Sequence, residues 1–220
     1  MRVAGGLLPR HNATMTIEAI RHLSRDPVLK PLIKRIGPAR LGVEKRSPYE
    51  ALVRAIAHQQ LHGRAAETIL GRFVALYPAP FPAPADVLNT RDDVLRGCGF
   101  SGAKVAAIQD ICAKTLDGIV PTRRSAMRLS DEALIERLTS IRGVGRWTVE
   151  MLLMFTLGRP DILPVDDFGV REGYRLIHRL DEQPKPRALA AIGEAWAPFR
   201  TTAAWYLWRA ADEGKKITPV

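Results

Sequence analysis

Two short segments carry residue types that could do chemistry. The first, Ile141-Arg142-Gly143-Val144-Gly145-Arg146-Trp147-Thr148, lies between two amphipathic patterns and reads as a tight turn joining two helices. Glycines at 143 and 145 allow a sharp turn and a close approach of the backbone to whatever lies outside. The helix that follows offers unpaired N–H groups suited to a phosphate, and Arg142 and Arg146 flank the turn. The second segment, Pro164-Val165-Asp166-Asp167, places a carboxylate at Asp167, twenty positions beyond Trp147. An acid at the mouth of a helix can be a plain N-cap. Two adjacent acids leave one to cap while the other faces a cavity. A phosphate-gripping hairpin followed by a carboxylate points to chemistry on DNA.

The elements that must hold these segments are helical. Ser47-Pro48-Tyr49-Glu50 supplies an N-cap, a proline at the first helical position and a glutamate able to close a capping box. Tyr49, Leu52, Val53 and Ile56 follow at one-face spacing. Further helices fit residues 65–77 and 103–116, a helix capped by Ser130, the strongly apolar 149–157, and 168–180. The region 189–211 completes the set. The prolines between Pro78 and Pro84 form a stiff connector, and Thr90-Arg91-Asp92-Asp93 offers another capped start. No period-two run is long enough for a sheet, and there is no solenoid repeat. The fold class is all-α.

With 220 residues the chain can bury a core as one domain or two small lobes. A formal net charge of +10 and a pI of about 10.1 call for an anionic partner. Cys98 and Cys112 are the only cysteines, too few for a four-cysteine cluster or a disulfide scaffold. Charged residues interrupt every apolar run, so no membrane span is expected. Residues 1–15 make a poor signal peptide and read as a loose terminal arm. An intracellular, reducing setting follows, cytoplasmic in a bacterium or nuclear in a eukaryote.

Aromatic residues gather towards the C-terminal end, as Trp196, Phe199, Trp205, Tyr206 and Trp208. Such runs pack cores, yet aromatic faces also stack nucleobases and attract cationic ones. Together the motifs resemble the helix-hairpin-helix alkylpurine DNA glycosylases, the AlkA-like 3-methyladenine DNA glycosylase II family. The resemblance lies in Arg54-Ala55-Ile56-Ala57-His58-Gln59-Gln60-Leu61-His62-Gly63, in the hairpin from Leu138 to Thr148, and in Leu163-Pro164-Val165-Asp166-Asp167-Phe168-Gly169-Val170. Trp196-x-Pro198-Phe199-Arg200 and the Trp-Tyr-Leu-Trp-Arg run ending at Arg209 extend it, so that it spans residues 17–209. A Gly-x-Gly hairpin alone would not be specific, since non-enzymatic DNA-binding proteins share it.

The resemblance implies two helical lobes with an active-site cleft between them. We divide the chain into residues 1–47 with 175–220, and 48–174 carrying the hairpin at about 134–157. It implies Asp167 as the catalytic acid, although a Pro-x-Asp pattern would select Asp166. Trp147, Phe199, Trp205 and Gln60 would form the base pocket. Leu61 or His62 would enter the minor groove as a wedge. DNA contacts would come from Leu61, His62, Arg64, Ser101, Gly102, Lys104, Gly143, Gly145, Arg146 and Thr148. No catalytic metal or other cofactor is implied, with a monovalent cation at the hairpin near Gly143 to Thr148 as the one candidate. Bifunctional members hold a lysine where Trp147 stands, so base removal without strand cleavage is expected. The chain also lacks room for an additional N-terminal β domain. The expected partner is duplex DNA carrying alkylated bases such as 3-methyladenine and 7-methylguanine, bound by a monomer without membrane contact. The rival readings are a non-catalytic hairpin DNA-binding protein, with Asp167 as a cap, and a glycosylase for oxidised or mismatched bases.

Overall fold

In the computed structural model the backbone is described for residues 10–61 and 63–217, and side chains for 17–61 and 63–214. The helices are α1 (Arg10–Leu23), α2 (Leu29–Ile36), α3 (Pro48–His58), α4 (Gly63–Val74), α5 (Pro84–Leu88), α6 (Asp92–Gly97) and α7 (Gly102–Leu116). They continue as α8 (Arg123–Ala126), α9 (Asp131–Thr139), α10 (Arg146–Met151), α11 (Phe168–His178), α12 (Pro186–Gly193) and α13 (Arg200–Ile217). No strand occurs among the described residues, so the all-α expectation holds.

The chain divides into two compact units, one of Met1–Gly42 with Arg159–Val220 and the other Val43–Gly158. The second border therefore falls at 158/159, not at the 174/175 expected from sequence. The reason is packing: α11 lies against α13, so the Asp166-Asp167 segment belongs with the termini. Gly173 makes that contact close, since a Cβ there would lie 1.9 Å from the Leu207 carbonyl oxygen.

In the central unit α3 packs against α4 and α7. Leu52, Val53, Ile56, Phe73, Ile108 and Ile111 are buried there, each apolar side chain contributing about 1.5–3 kcal/mol relative to exposure. Ser47 caps α3 by accepting the Glu50 N–H, at 3.1 Å. The reciprocal half of the capping box is absent, because the Glu50 carboxylate pairs instead with Arg54 one turn on, at 2.8 Å. α6 likewise starts without a side-chain cap, and the Thr90 hydroxyl donates to the Asp86 carbonyl. The apolar 149–157 segment is not one uniform helix: α10 passes into a π-helical run, Leu152–Leu157, ended by Gly158 in the left-handed region at φ 73°.

In the terminal unit two helices precede Ser47, where the sequence pattern assigned none, and α1 takes in residues 10–15 of the expected loose arm. Trp196 ties this N-terminal stretch down by donating to Asp26, 3.0 Å away. The 189–211 region is interrupted after Gly193 by a 3-10 turn (Glu194–Trp196) and by Pro198, which has no N–H to continue a helix. Asp161 holds the start of α13 through two bonds from the Arg200 guanidinium, at 2.7 and 2.8 Å. Burial pushes the Asp161 carboxyl up, but these bonds outweigh it and hold it below the usual aspartate value.

Candidate functional site

In the terminal unit Asp167 is the N-cap of α11, its Oδ1 accepting the Val170 N–H at 2.8 Å. The same oxygen accepts the indole N–H of Trp208, also at 2.8 Å. The capping reading of Asp167 is therefore correct, and a second donor from α13 meets the same atom. That second bond fixes the carboxylate in a way capping alone does not require. Gly169 leaves room for the arrangement, since a Cβ there would lie 2.8 Å from Trp208 Cδ1 and 3.2 Å from Asp167 Oδ1. Asp166 is exposed.

The tryptophan that reaches the carboxylate is Trp208, which the sequence reading placed in the aromatic run without a site role. Trp205, expected in the base pocket, stands edge-on to Tyr206 with ring centroids 5.1 Å apart. The Arg209 guanidinium already lies over its ring, 5.5 Å from the centroid. Phe199 is half-buried and tilted against His22, at 5.5 Å. Helical spacing puts 205 and 208 on neighbouring faces and does not tell which one meets α11.

In the central unit α9 and α10 form the two helices of the hairpin. Gly143 adopts φ 76°, and a Cβ there would lie 3.2 Å from that of Ala107, so the turn needs glycine on both counts. Gly145 caps α10, and a Cβ on it would meet nothing within 4 Å, leaving its backbone open to approach. Trp147 is 46% exposed. Thr148 is only 5% exposed, so its side chain is not a surface DNA contact and its N–H is the group that remains for one. The Arg146 guanidinium pairs at 3.0 Å with buried Glu150, although most of its side chain stays in solvent. Arg142 donates its backbone N–H to Asp110, at 2.7 Å.

The turn after α3 brings three of the expected contacts together. Gln60 has φ 57°, unusual for a residue with a side chain, and Leu61 is 40% exposed. Arg64 is exposed in the first turn of α4, while His62 lies outside the described residues. Ser101 caps α7 by accepting the Lys104 N–H, and Gly102 begins that helix. Lys104 is not the free surface cation expected: its ammonium donates to the carbonyls of Ala57 at 2.9 Å and Gln59 at 2.7 Å. Burial lowers its pKa. The Gln59 amide in turn donates to the Gly143 carbonyl, at 3.0 Å.

The HhH-GPD superfamily model of base excision DNA repair proteins matches residues 53–198, which include the α3 turn, the hairpin and Asp167. The chain belongs to this superfamily. It is 45% identical over 213 residues to a protein named DNA-3-methyladenine glycosylase 1 from Schizosaccharomyces pombe, covering 94% of this chain and 93% of that one. The solved S. pombe 3-methyladenine DNA glycosylase in complex with abasic DNA is 46% identical, with a TM-score of 0.80 over 87% of this chain and 95% of that one. A DNA-3-methyladenine glycosidase from Bacillus halodurans is 32% identical, with a TM-score of 0.82 over 92% of this chain and 91% of that chain.

Proposed function

We propose that this protein is a monofunctional DNA glycosylase that hydrolyses the N-glycosidic bond of alkylated bases, such as 3-methyladenine and 7-methylguanine, in duplex DNA. The observation that carries this reading is the Asp167 carboxylate, held by both α11 and Trp208, in a chain related over nearly its whole length to 3-methyladenine glycosylases. Alkylation of a ring nitrogen places positive charge on the base and weakens its bond to the sugar. Extruding the nucleotide costs a few kcal/mol in unstacking and unpairing. The exposed turn bearing Leu61, with His62 after it, fills the vacancy as a wedge. The exposed ring of Trp147 offers an electron-rich face of the kind that attracts a cationic base. Asp167 stabilises positive charge growing on the sugar as the bond breaks, and directs water to it.

Trp147 has no nucleophile to attack the sugar, which supports base removal without strand cleavage. The hairpin N–H groups of residues 146–148 and a net charge of +10 support a sequence-independent grip on phosphates. Among the described residues no group of three His, Cys, Asp or Glu side chains is placed to hold a metal. A monovalent cation at the hairpin would use the backbone carbonyls of its turn. Two buried, unpaired cysteines fit an intracellular setting, and we assign the protein as a monomer there.

The test is base release from methylated duplex DNA by the wild type and by Asp167→Asn. Asparagine still caps α11, so the variant should fold and bind an abasic-site duplex while losing release. A variant that releases base at the wild-type rate removes Asp167 from the chemistry.

A further inference from the structure

The turn after α3 has an energetic problem that two side chains from elsewhere in the central unit solve. Gln60 holds a left-handed backbone conformation, which is strained for a residue with a Cβ, and Leu61 beside it leaves apolar surface in water. The C-terminal carbonyls of α3 also need donors. Lys104, on the first turn of α7, supplies two of them at the Ala57 and Gln59 carbonyls, where the negative end of the helix suits a cation. Gln59 then spans from this turn to the Gly143 carbonyl, inside the hairpin turn. The turn is thus fastened on one side to α7 and on the other to the hairpin.

We infer that Lys104 and Gln59 are positioning residues for base extrusion: they hold the Gln60-Leu61 turn at a fixed offset from the Gly143 turn, so that a hairpin seated on a phosphate sets how deeply the wedge enters the duplex. This rests on the glycosylase reading. Lys104 acts through the wedge and not as a phosphate contact, because its ammonium faces carbonyls and two of its three donors are committed. Gln59 is similarly occupied, its side-chain amide donating to the Gly143 carbonyl. The work assigned to the pair is pushing a paired base out of the stack, so its worth depends on how firmly that base is paired.

That dependence supplies the test. Base release under single-turnover conditions is measured for the wild type, Lys104→Met and Gln59→Leu, on a lesion in a matched pair and on the same lesion opposite an abasic site. Thermal melting and undamaged-duplex affinity across a salt series are measured alongside. Gln59→Leu removes one neutral hydrogen bond and keeps the fold in hand should Lys104→Met melt early. We expect a loss of release from the matched pair of about tenfold in Lys104→Met and of about threefold to tenfold in Gln59→Leu, most of it restored opposite the abasic site, where extrusion is cheaper. The salt slope of undamaged-duplex binding should not change. Equal losses on both substrates would indicate general damage to the protein and overturn the inference, as would release within twofold of the wild type. A salt slope lowered by about one unit in Lys104→Met would make it a phosphate contact and overturn it too. A wild type that frees no base overturns the glycosylase reading itself, a result distinct from variants that match an active wild type.

Discussion

Replacing Trp208 with phenylalanine tests the arrangement at Asp167 most directly. The ring bulk is largely kept, while the indole N–H that meets Asp167 Oδ1 at 2.8 Å is lost. A hydrogen bond to a charged group is worth about 1.5–3 kcal/mol, against about 0.5–1.5 for a neutral one. The Val170 N–H, also at 2.8 Å, still holds the carboxylate at the mouth of α11, so the loss falls on orientation and not on folding of the helix. If that bond is fully used in the transition state, release should slow by about tenfold to about a hundredfold, since 1.36 kcal/mol is one decade in rate. The assay is single-turnover base release from methylated duplex at saturating enzyme, with melting temperature and abasic-duplex binding as controls. Trp205→Phe is the matched comparison, because Trp205 packs against Tyr206 and under Arg209 instead; it should lose less. A folded Trp208→Phe protein that releases base within about twofold of the wild type would refute the reasoning and leave Asp167 oriented by its helix cap alone.

Gly173→Ala should destabilise the terminal unit strongly: its Cβ would lie 1.9 Å from the Leu207 carbonyl oxygen, a backbone atom that cannot swing aside. Overpacking of this kind costs about 1–3 kcal/mol or more, and a melting temperature within about 2 °C of the wild type would contradict the close α11–α13 contact. Acid should weaken the same unit through Asp161, whose folded-state pKa lies below the usual 3.8 because the Arg200 bonds outweigh burial. Its contribution is complete above that value and is lost as pH falls through the lower, folded-state one; Asp161→Asn should flatten this part of the stability–pH curve, as followed by acid titration of far-UV circular dichroism. Borohydride treatment of the protein with abasic DNA should trap no covalent adduct, since Trp147 offers no amine; a stable adduct on the protein would contradict the monofunctional reading.

Much of this protein is legible in the local chemistry of its chain. Ser47 and Ser130 each cap the helix that the pattern around them announces. Gly143 sits in the left-handed turn that a hairpin needs, and Asp167 caps α11 through the Val170 N–H three residues on, as an acid at the mouth of a helix can. These features depend on residues three or four positions apart, so their causes are written along the chain. What the sequence leaves open are partners separated by dozens of residues, or a choice between equivalent neighbours. Glu50 has two chemically sound choices and takes Arg54; Lys104 has the composition of a phosphate contact and becomes a clasp on α3. Trp205 and Trp208 are equivalent by type, and only the seating of α11 on α13 through Gly173 decides which indole meets the carboxylate. The same seating moves the border between the units from 174/175 to 158/159. Helix formation follows from bonds within a few residues, whereas the identity of a side chain's distant partner is fixed only when packed surfaces select one register among several that the sequence allows.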